Sequence, residues 1–538
     1  MDPGFMCLQG SGVISTGDGT PVSGLIRVLR TGARDDKSGH VIEVAFVAHD
    51  GTLQRLTLEN SALNGTAGLN RLTDHGFKLL GKASDFRHLL RSWRGAPTVR
   101  RTDRTGWMSG PGGDIYMRAD GNSIPHNEDL GSAPLLVNPD HSARMRRGSL
   151  EGWQDQVARP ALGSDPLVLG ICAAVAAPLL KLARIETAMF NLHAKGPVGK
   201  SLAVAVATSA DRAPAGSARW SLEPALLEQM IRRTHDGILA LDSLPENLTG
   251  KLLGHLTGLG EDGFYTQHDR DWRGVTLSTS ESSFPALLKR HRKVVPAAMV
   301  SRIIDIPVDI GAHGVLGSVH GHSDVRAFVS TIGSGLKAHH GHLLPAFIQR
   351  VINDRAMISH TLPARLDAAA ERLLRNGQIS IVAGDGARLE ALRRLALVAV
   401  AGEMAIEYGL LPWPAETAEA AVLAMAVRWH SADLPKFGLD AVLQRLRTFL
   451  KTSETAFRHL STAGPKITSD KELGWQDDTY YYLTTKQMRR VEGLSTAVPE
   501  LVAQGIIVPG GQGNSWQFRM GRQFNPRPNL YRICKQKL

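Results

Sequence analysis

One stretch, residues 189–208, limits the possible folds of this 538-residue chain more than any other. It begins with an apolar run typical of a buried strand, passes through a loop that contains Gly196 and Gly199, and continues with helical periodicity. The loop ends in Gly199-Lys200-Ser201, immediately before the predicted helix. A strand, a glycine-containing loop and a helix in this order predict an α/β fold with a largely parallel sheet.

The same loop has the composition of a phosphate-binding loop. Backbone N–H groups and a helix N-terminus surround phosphate oxygens in such loops, while a lysine reaches the β- and γ-phosphates and a hydroxyl binds Mg²⁺. Ala194 stands where the motif GxxxxGK[ST] has its first glycine, but the strand and helix on either side favour this reading over a chance turn. The predicted nucleotide-binding residues are Lys195, Gly196, Pro197, Val198, Gly199, Lys200, Ser201 and Leu202.

Mg²⁺ needs a second anchor, usually an aspartate at the end of a neighbouring buried strand. Asp242 ends the apolar run of residues 237–242 and is predicted to bind Mg²⁺ together with Ser201. The next residue, Ser243, occupies the position where many such ATPases have a glutamate that polarises the attacking water. Glu246 and Glu281 are the candidates to replace it, and their spacing does not choose between them.

Two further residues have the positions of catalytic groups. Thr279 lies near the end of the strand-like run 274–280, where its hydroxyl is predicted to sense the γ-phosphate or the attacking water, although capping of the strand end is an alternative. Arg302 precedes another apolar strand and is predicted to act on a neighbouring subunit's nucleotide, as an arginine finger does.

An ordered set of motifs resembles an uncharacterised family of ATPases from bacterial mobile elements and prophages, often labelled superfamily II helicases. Through that family the chain is similar to the MCM-like AAA+ replicative helicases of cassette-chromosome elements, from about residue 24 to the C-terminus. The motifs are Gly199-Lys-Ser201, Leu239-Ala-Leu-Asp242, Leu277-Ser-Thr-Ser-Glu281, Ser301-Arg-Ile-Ile-Asp-Ile-Pro307, Val319-His-Gly321 and Arg394-Leu-Ala-Leu-Val-Ala-Val-Ala-Gly-Glu403.

The resemblance implies a hexameric, ring-forming motor that uses ATP and Mg²⁺ to move on single-stranded or forked DNA during replication of a mobile element. A primase or other replication proteins are the implied partners. Ser301-Arg302 is similar to the Ser-Arg finger of MCM proteins, and Arg394 is similar to a second sensor arginine, with a solvated helix residue as the alternative. Ala194 and Ser243 depart from the family pattern, which bears on hydrolysis more than on nucleotide binding.

The pattern of segments predicts four domains. Residues 1–150 form an α+β N-terminal domain with a strand at Val41–Val47, a helix at 84–93, and a turn-rich connector that extends from 106 to about 163. An AAA+-type P-loop core over 151–352, a helical lid over 353–435 and a winged-helix-like domain over 436–538 follow. The last assignment rests on helices followed by a hairpin between 505–508 and 516–520.

Charge favours a polyanionic partner. Lys and Arg number 62 against 51 Asp and Glu, a formal net charge of +11. Basic clusters occur at 87–104, 144–147 and 289–293 and around Arg519, Arg522, Arg527 and Arg532. The insert 260–273 has the position of a pore hairpin in MCM-like motors, so Arg270 and Arg273 are the predicted DNA contacts, with a solvated basic face as the alternative.

Other features exclude several classes of protein. The three cysteines are too few for a disulfide framework, which predicts a cytoplasmic protein. The apolar run 166–180 is interrupted and short, so a buried helix is predicted and no membrane span. The histidines between 313 and 342 have no cysteine or paired carboxylate beside them, which disfavours a closed metal site.

Three functions remain after the sequence analysis. The first is a DNA-translocating ATPase, and the second is an ATP-gated DNA-binding or loader protein with weak hydrolysis. The third is a small-molecule phosphotransferase, which the predicted lid, the candidate arginine finger and the basic charge disfavour.

Overall fold

The structure is a computed structural model, and its described strands form five sheets. The described residues are 5–7, 12–110, 113–125, 133–137, 139, 146–214, 218–220, 224–247, 272–291, 301–308, 313–376, 378–381, 385–432, 439–461, 473–491, 494–495, 497–510, 516–519 and 529–538.

The N-terminal part combines a five-stranded sheet of order β11-β7-β4-β5-β6 with two helices. The predicted strand is confirmed as β5, and the helix predicted at 84–93 is α2. Its elements are β1 Phe5–Cys7, β2 Val13–Thr16, β3 Pro21–Gly24, β4 Ile26–Ala33, β5 Val41–Val47, β6 Leu53–Glu59, α1 Ala67–Asp74, α2 Ala83–Ser92, β7 Thr98–Thr102, β8 Gly106–Gly110, β9 Gly113–Met117, β10 Ser123–Ile124 and β11 Leu135–Leu136.

The connector contains more regular structure than predicted. Strands β8, β9 and β10 form an antiparallel sheet, and α3 (Leu150–Trp153), a π-helical turn and α4 (Arg159–Ala161) follow. Trp107 and Tyr116 are buried in the same hydrophobic cluster as the central sheet, and the Trp107 indole N–H donates to the Pro178 carbonyl at 2.7 Å. These long-range contacts stabilise a hairpin that local turn propensity did not reveal.

A five-stranded parallel sheet forms the central layer, in the order β13-β14-β15-β12-β16. Strands β12, β14, β15 and β16 are almost entirely buried, which explains their largely apolar composition. The elements are α5 Asp165–Ala176, α6 Leu180–Ala183, β12 Thr187–His193, α7 Lys200–Ser209, β13 Ala218–Arg219, α8 Pro224–Arg232, β14 Ile238–Leu244, β15 Gly274–Ser280, α9 Phe284–Arg290, β16 Ile303–Pro307, α10 Val325–Ala338 and α11 Leu343–Asn353.

Helix α5 confirms the predicted buried helix. The helical stretch Asp165–Ala183 is long and apolar enough to cross a membrane by composition, but 89% of its apolar window is buried inside the protein. It packs against α7. It also packs against the later helix Gly386–Glu407, where a Cβ added at Gly402 would lie 2.5 Å from Cys172 Sγ, so these two helices approach closely at Gly402. This is the packing of a core helix.

Three long helices follow: α12 (Arg355–Arg375), α13 (Gly386–Glu407) and α14 (Thr417–Ser431). Helices α13 and α14 pack on α5, α14 also packs on β16, and α12 packs on α13. These are the helices predicted to form a lid. They pack with α5 in one hydrophobic core, and they contribute none of the described residues that line the cleft at the carboxyl ends of the strands. The lid assignment of these helices stays a prediction.

The C-terminal part has a mixed sheet of order β17-β18-β19-β21-β20. The predicted hairpin between 505–508 and 516–520 is wrong, because β20 pairs with β21 and Ile507 makes only an isolated bridge to Ile533. Strand β21 buries Leu530 and Ile533 completely. The elements are α15 Leu439–Thr452, β17 Phe457–His459, β18 Gly474–Gln476, β19 Tyr480–Leu483, α16 Thr485–Met488, α17 Val498–Ala503, β20 Phe518–Arg519 and β21 Asn529–Cys534.

Candidate functional site

The loop between β12 and α7 contains two glycines in the left-handed region of backbone conformation. Gly196 and Gly199 have φ angles of 75° and 97°, which L-residues with a side chain rarely adopt. Ala194 is not among the described residues with positive φ, so its methyl group causes no backbone strain. The missing first glycine therefore does not prevent formation of the loop.

Lys200 is the first residue of α7, and its ammonium group lies inside the loop. Nζ donates to the carbonyl oxygens of Ala194 at 2.6 Å and Gly196 at 2.9 Å. Burial lowers the pKa of Lys200, and the charges of Glu281 and Asp242 oppose that shift. The lysine is thus held at the centre of the loop and beside two carboxylates.

Asp242 is fixed by a residue of the neighbouring strand. The Thr279 hydroxyl donates to Asp242 Oδ1 at 2.5 Å and accepts from the Ser243 backbone N–H at 2.8 Å. Ser243 has a φ of 58°, at the point where the register between β14 and β15 shifts. Because β15 lies between β12 and β14, Thr279 sits between the loop and Asp242 and orients the carboxylate.

These groups share a cleft of about 1010 Å³ at the carboxyl ends of the strands. Among the predicted nucleotide-binding residues, 196–201 line it, whereas Lys195 is exposed at the start of the loop and Leu202 packs against the core. The cleft also has walls that the sequence analysis missed. They comprise His313, Gly314, Leu316, Val325 and Val329.

The two candidate carboxylates differ in their surroundings. Both line the cleft. Glu246 forms an ion pair with Arg290 at the end of α9, and its side chain is 30% exposed. Glu281 is exposed in the turn after β15, and its charge acts on Lys200. Of the two carboxylates, Glu281 is therefore the one whose charge acts on Lys200.

Arg302 and Arg394 lie together at the amino ends of the strands, opposite the carboxyl ends that form the cleft. Arg302 pairs with Glu186 at 3.1 Å, immediately before β12, and Arg394 donates to the Thr187 carbonyl at 2.7 Å. Seven strand residues, roughly 20 Å at about 3.3 Å each, separate these amino ends from the loop. Neither arginine is near the cleft of its own chain.

Arg394 is also buried, so the alternative of a solvated helix residue is wrong. Only 6% of its surface is exposed, and burial lowers its pKa while Glu390 opposes the shift. Its guanidinium is close enough to Arg302 for the two charges to interact. Arg394 therefore joins α13 to the start of β12 in the interior of the protein, beside Arg302.

Arg273 has a partner inside the protein. Its Nε lies 2.5 Å from Oδ1 of the fully buried Asp236, whose Oδ2 accepts the Trp107 backbone N–H at 3.0 Å. The ion pair joins the start of β15 to the β8–β9 hairpin. The DNA contact predicted for Arg273 stays a prediction, and Arg270 lies outside the described residues.

The histidine-rich stretch is divided between separate packing sites. His320 stacks on Phe328, and His342 accepts from Arg146 at 3.0 Å through Nδ1. In the part of the chain that the structure describes, no group of three or more His, Cys, Asp or Glu side chains converges as a metal site. These histidines join segments of the protein together.

Comparison with known proteins supplies two likenesses. Residues 13–254 match the family described as Domain of unknown function (DUF927). No curated protein matches the sequence. Among solved structures the chain is similar to "SCCmec type IV Cch - active helicase", with a TM-score of 0.65 and 15% identity over 99% of this chain and 98% of that chain. The likeness shows that the two chains share a fold over their whole length.

Proposed function

We propose that this protein is an ATP-driven DNA translocase or helicase that forms a ring and acts in replication of a mobile genetic element. The observation that carries the proposal is the cleft in which the Lys200 loop faces an aspartate held by Thr279. The whole-chain likeness to a protein described as an active helicase supports the same function.

The cleft suits a nucleoside triphosphate with Mg²⁺. The loop N–H groups and Lys200 would hold the phosphates, while Leu316, Val325 and Val329 offer an apolar wall to the base. Ser201 and Asp242 supply the oxygen ligands that Mg²⁺ prefers, and Thr279 already orients one of them. The metal would neutralise phosphate charge during the reaction.

We propose Glu281 as the residue that orients and deprotonates the attacking water. Ser243 has no carboxylate, and Glu246 is engaged by Arg290. Glu281 lines the cleft and is exposed to solvent from which a water molecule can enter. A carboxylate in this position performs general-base chemistry while Lys200 stabilises charge on the phosphate.

Arg302 and Arg394 support assembly into a ring. Arg302 lies at the amino ends of the strands, away from its own cleft, so only the nucleotide of a neighbouring subunit is within its reach, whereas the buried Arg394 bonds to the start of β12 beside it. An arginine supplied in trans stabilises charge in the transition state. Their position therefore favours a homo-oligomer in which each cleft is completed by the next subunit, and a hexamer is the expected ring.

DNA, single-stranded or forked, is the proposed substrate. The net charge of +11 supports a polyanionic partner, and the insert that contains Arg270 is the proposed contact. A primase or another replication protein is the proposed partner. Ser243 favours a second candidate function, an ATP-gated DNA-binding or loader protein with weak hydrolysis.

Steady-state ATP hydrolysis with and without single-stranded DNA tests the proposal, with Lys200→Ala as the matched inactive variant. A motor requires a Lys200-dependent rate that DNA raises several-fold. If the wild-type rate equals the Lys200→Ala background while ATP still binds, the motor is excluded and the ATP-gated binding protein is the better account.

A further inference from the structure

Three polar side chains lie next to one another inside the parallel sheet, below the edge that forms the cleft. Asn191 on β12 donates through Nδ2 to Ser280 Oγ on β15 at 2.8 Å and to Asp305 Oδ1 on β16 at 2.6 Å. All three residues are at most 2% exposed. We call them the buried triad. Burying a carboxylate inside a parallel sheet is unfavourable in free energy unless the carboxylate is hydrogen-bonded, so Asp305 is expected to have a specific role.

The buried triad holds both ends of the short segment 281–283. The Ser280 hydroxyl donates to the Ser282 carbonyl at 2.7 Å. Asp305 Oδ2 accepts the backbone N–H of Phe284, the first residue of α9, at 2.7 Å. Glu281 lies inside the turn that the Ser280–Ser282 bond closes, immediately before the attached Ser282, and lines the cleft beside Lys200.

We propose that the buried triad positions Glu281 for ATP hydrolysis, with Asp305 as the central positioning residue. The inference rests on the proposed function, because it requires Glu281 to act on the attacking water. An ionised Asp305 accepts one N–H group on each oxygen, from Asn191 and from Phe284. An amidated side chain at 305 keeps the same size but offers one of these donors no acceptor, and a protonated side chain offers it only a weakly accepting hydroxyl oxygen.

The kinetic test compares Asp305→Asn with Ser283→Ala. Asp305→Asn should lower kcat at least tenfold and leave the KM for ATP and the affinity for a fluorescent ATP analogue unchanged, because the Lys200 loop is untouched. Ser283 caps the same helix by accepting the Ala286 N–H at 3.3 Å, outside the buried triad. Ser283→Ala should therefore weaken α9 yet keep kcat within twofold of wild type.

The pH dependence of kcat gives a second readout. Burial raises the pKa of Asp305 to about 7, while Asn191 and the Phe284 N–H oppose the shift; these are the groups that face it from β12 and α9. Wild-type kcat should fall as the pH drops from 8 to 6, because protonation releases one N–H donor. Asp305→Asn should lack the inflection near pH 7.

Amide hydrogen exchange tests the positioning independently of hydrolysis. In Asp305→Asn, the amides of 282–284 should exchange at least tenfold faster than in wild type, since their anchor is weakened. If exchange is faster in Asp305→Asn but wild type shows no Lys200-dependent hydrolysis, the buried triad anchors the segment without a catalytic role. That pair of results overturns both the proposed function and the catalytic part of this inference.

Two results overturn the inference directly. One is a kcat for Asp305→Asn within twofold of wild type in a protein that hydrolyses ATP. The other is an equal loss in Ser283→Ala, which would assign the effect to helix stability. If Asp305→Asn fails to fold, Ser280→Ala decides, because it removes the bonds of the hydroxyl to Ser282 and Asn191 and leaves Asp305 unchanged: kcat should fall several-fold at constant KM, and an unchanged kcat contradicts the proposal.

Discussion

Replacing Thr279 by valine removes one hydroxyl and keeps the shape of the side chain. Both hydrogen-bonding functions of this hydroxyl are used within the protein, as a donor to Asp242 and as an acceptor from the Ser243 N–H. With Thr279 only 1% exposed, its effect on the reaction is expected to pass through Asp242. The variant therefore tests whether Asp242 must be oriented in order to bind Mg²⁺.

The expected magnitude follows from the charged hydrogen bond. A bond to an ionised group contributes about 1.5–3 kcal/mol, and each ~1.4 kcal/mol corresponds to about a tenfold change. Thr279→Val should lower kcat/KM for MgATP by roughly 10- to 150-fold and raise the Mg²⁺ concentration that gives half-maximal hydrolysis. Thr279→Ser keeps the hydroxyl and should recover most of the rate.

Steady-state hydrolysis over a Mg²⁺ titration is the assay, and Thr276→Val is the matched control. Thr276 is equally buried on the same strand but lies outside the cleft lining, so its valine variant should hydrolyse ATP at close to the wild-type rate. A Thr279→Val protein with wild-type rate and Mg²⁺ dependence would refute the role assigned to Asp242.

Three other perturbations have defined outcomes. Asp236→Asn breaks the buried pair with Arg273 and should destabilise the protein by about 3–5 kcal/mol, seen as a lower melting temperature; an unchanged melting temperature contradicts this role. Arg302→Ala mixed with wild type should reduce hydrolysis by more than its molar share while ATP affinity stays constant, and a strictly proportional loss argues against action in trans. Burial raises the pKa of Asp305 from 3.8 to about 7, so the folded protein keeps a proton that the unfolded chain releases. Its contribution to the free energy of unfolding should fall by up to about 1.4 kcal/mol per pH unit from pH 4 to 7. When the free energy of unfolding is measured by denaturant titration at several pH values, its slope against pH should be less negative in Asp305→Asn than in wild type; equal slopes contradict the shift in pKa.

Local sequence signals predicted the glycine-containing loop before α7, the strand that carries Asp242, and the buried helix α5. Each depends on residues close together in the chain: a glycine-containing turn before a helix, an aspartate near the end of an apolar strand, or an apolar run of helical length. Their physical cause is local backbone preference and burial, which composition and periodicity report directly.

Contacts between segments far apart in the chain could not be predicted from the sequence. Asn191 and Asp305 are 114 positions apart, and only the strand order of the sheet brings them together. Arg302 lies away from its own cleft for a different reason, because it precedes β16 and this strand runs parallel to β12. The one available signal was a polar residue inside an apolar strand, visible at Asn191 and Asp305, which identifies a buried polar contact but not its partner.

Strand displacement from a forked DNA duplex tests the motor most directly. The account predicts that the wild-type protein separates the strands only with hydrolysable ATP and Mg²⁺, and that Lys200→Ala binds the fork without separating it. Absence of strand separation by a wild-type protein that assembles on the fork and binds ATP would contradict the helicase activity and favour an ATP-gated DNA-binding protein.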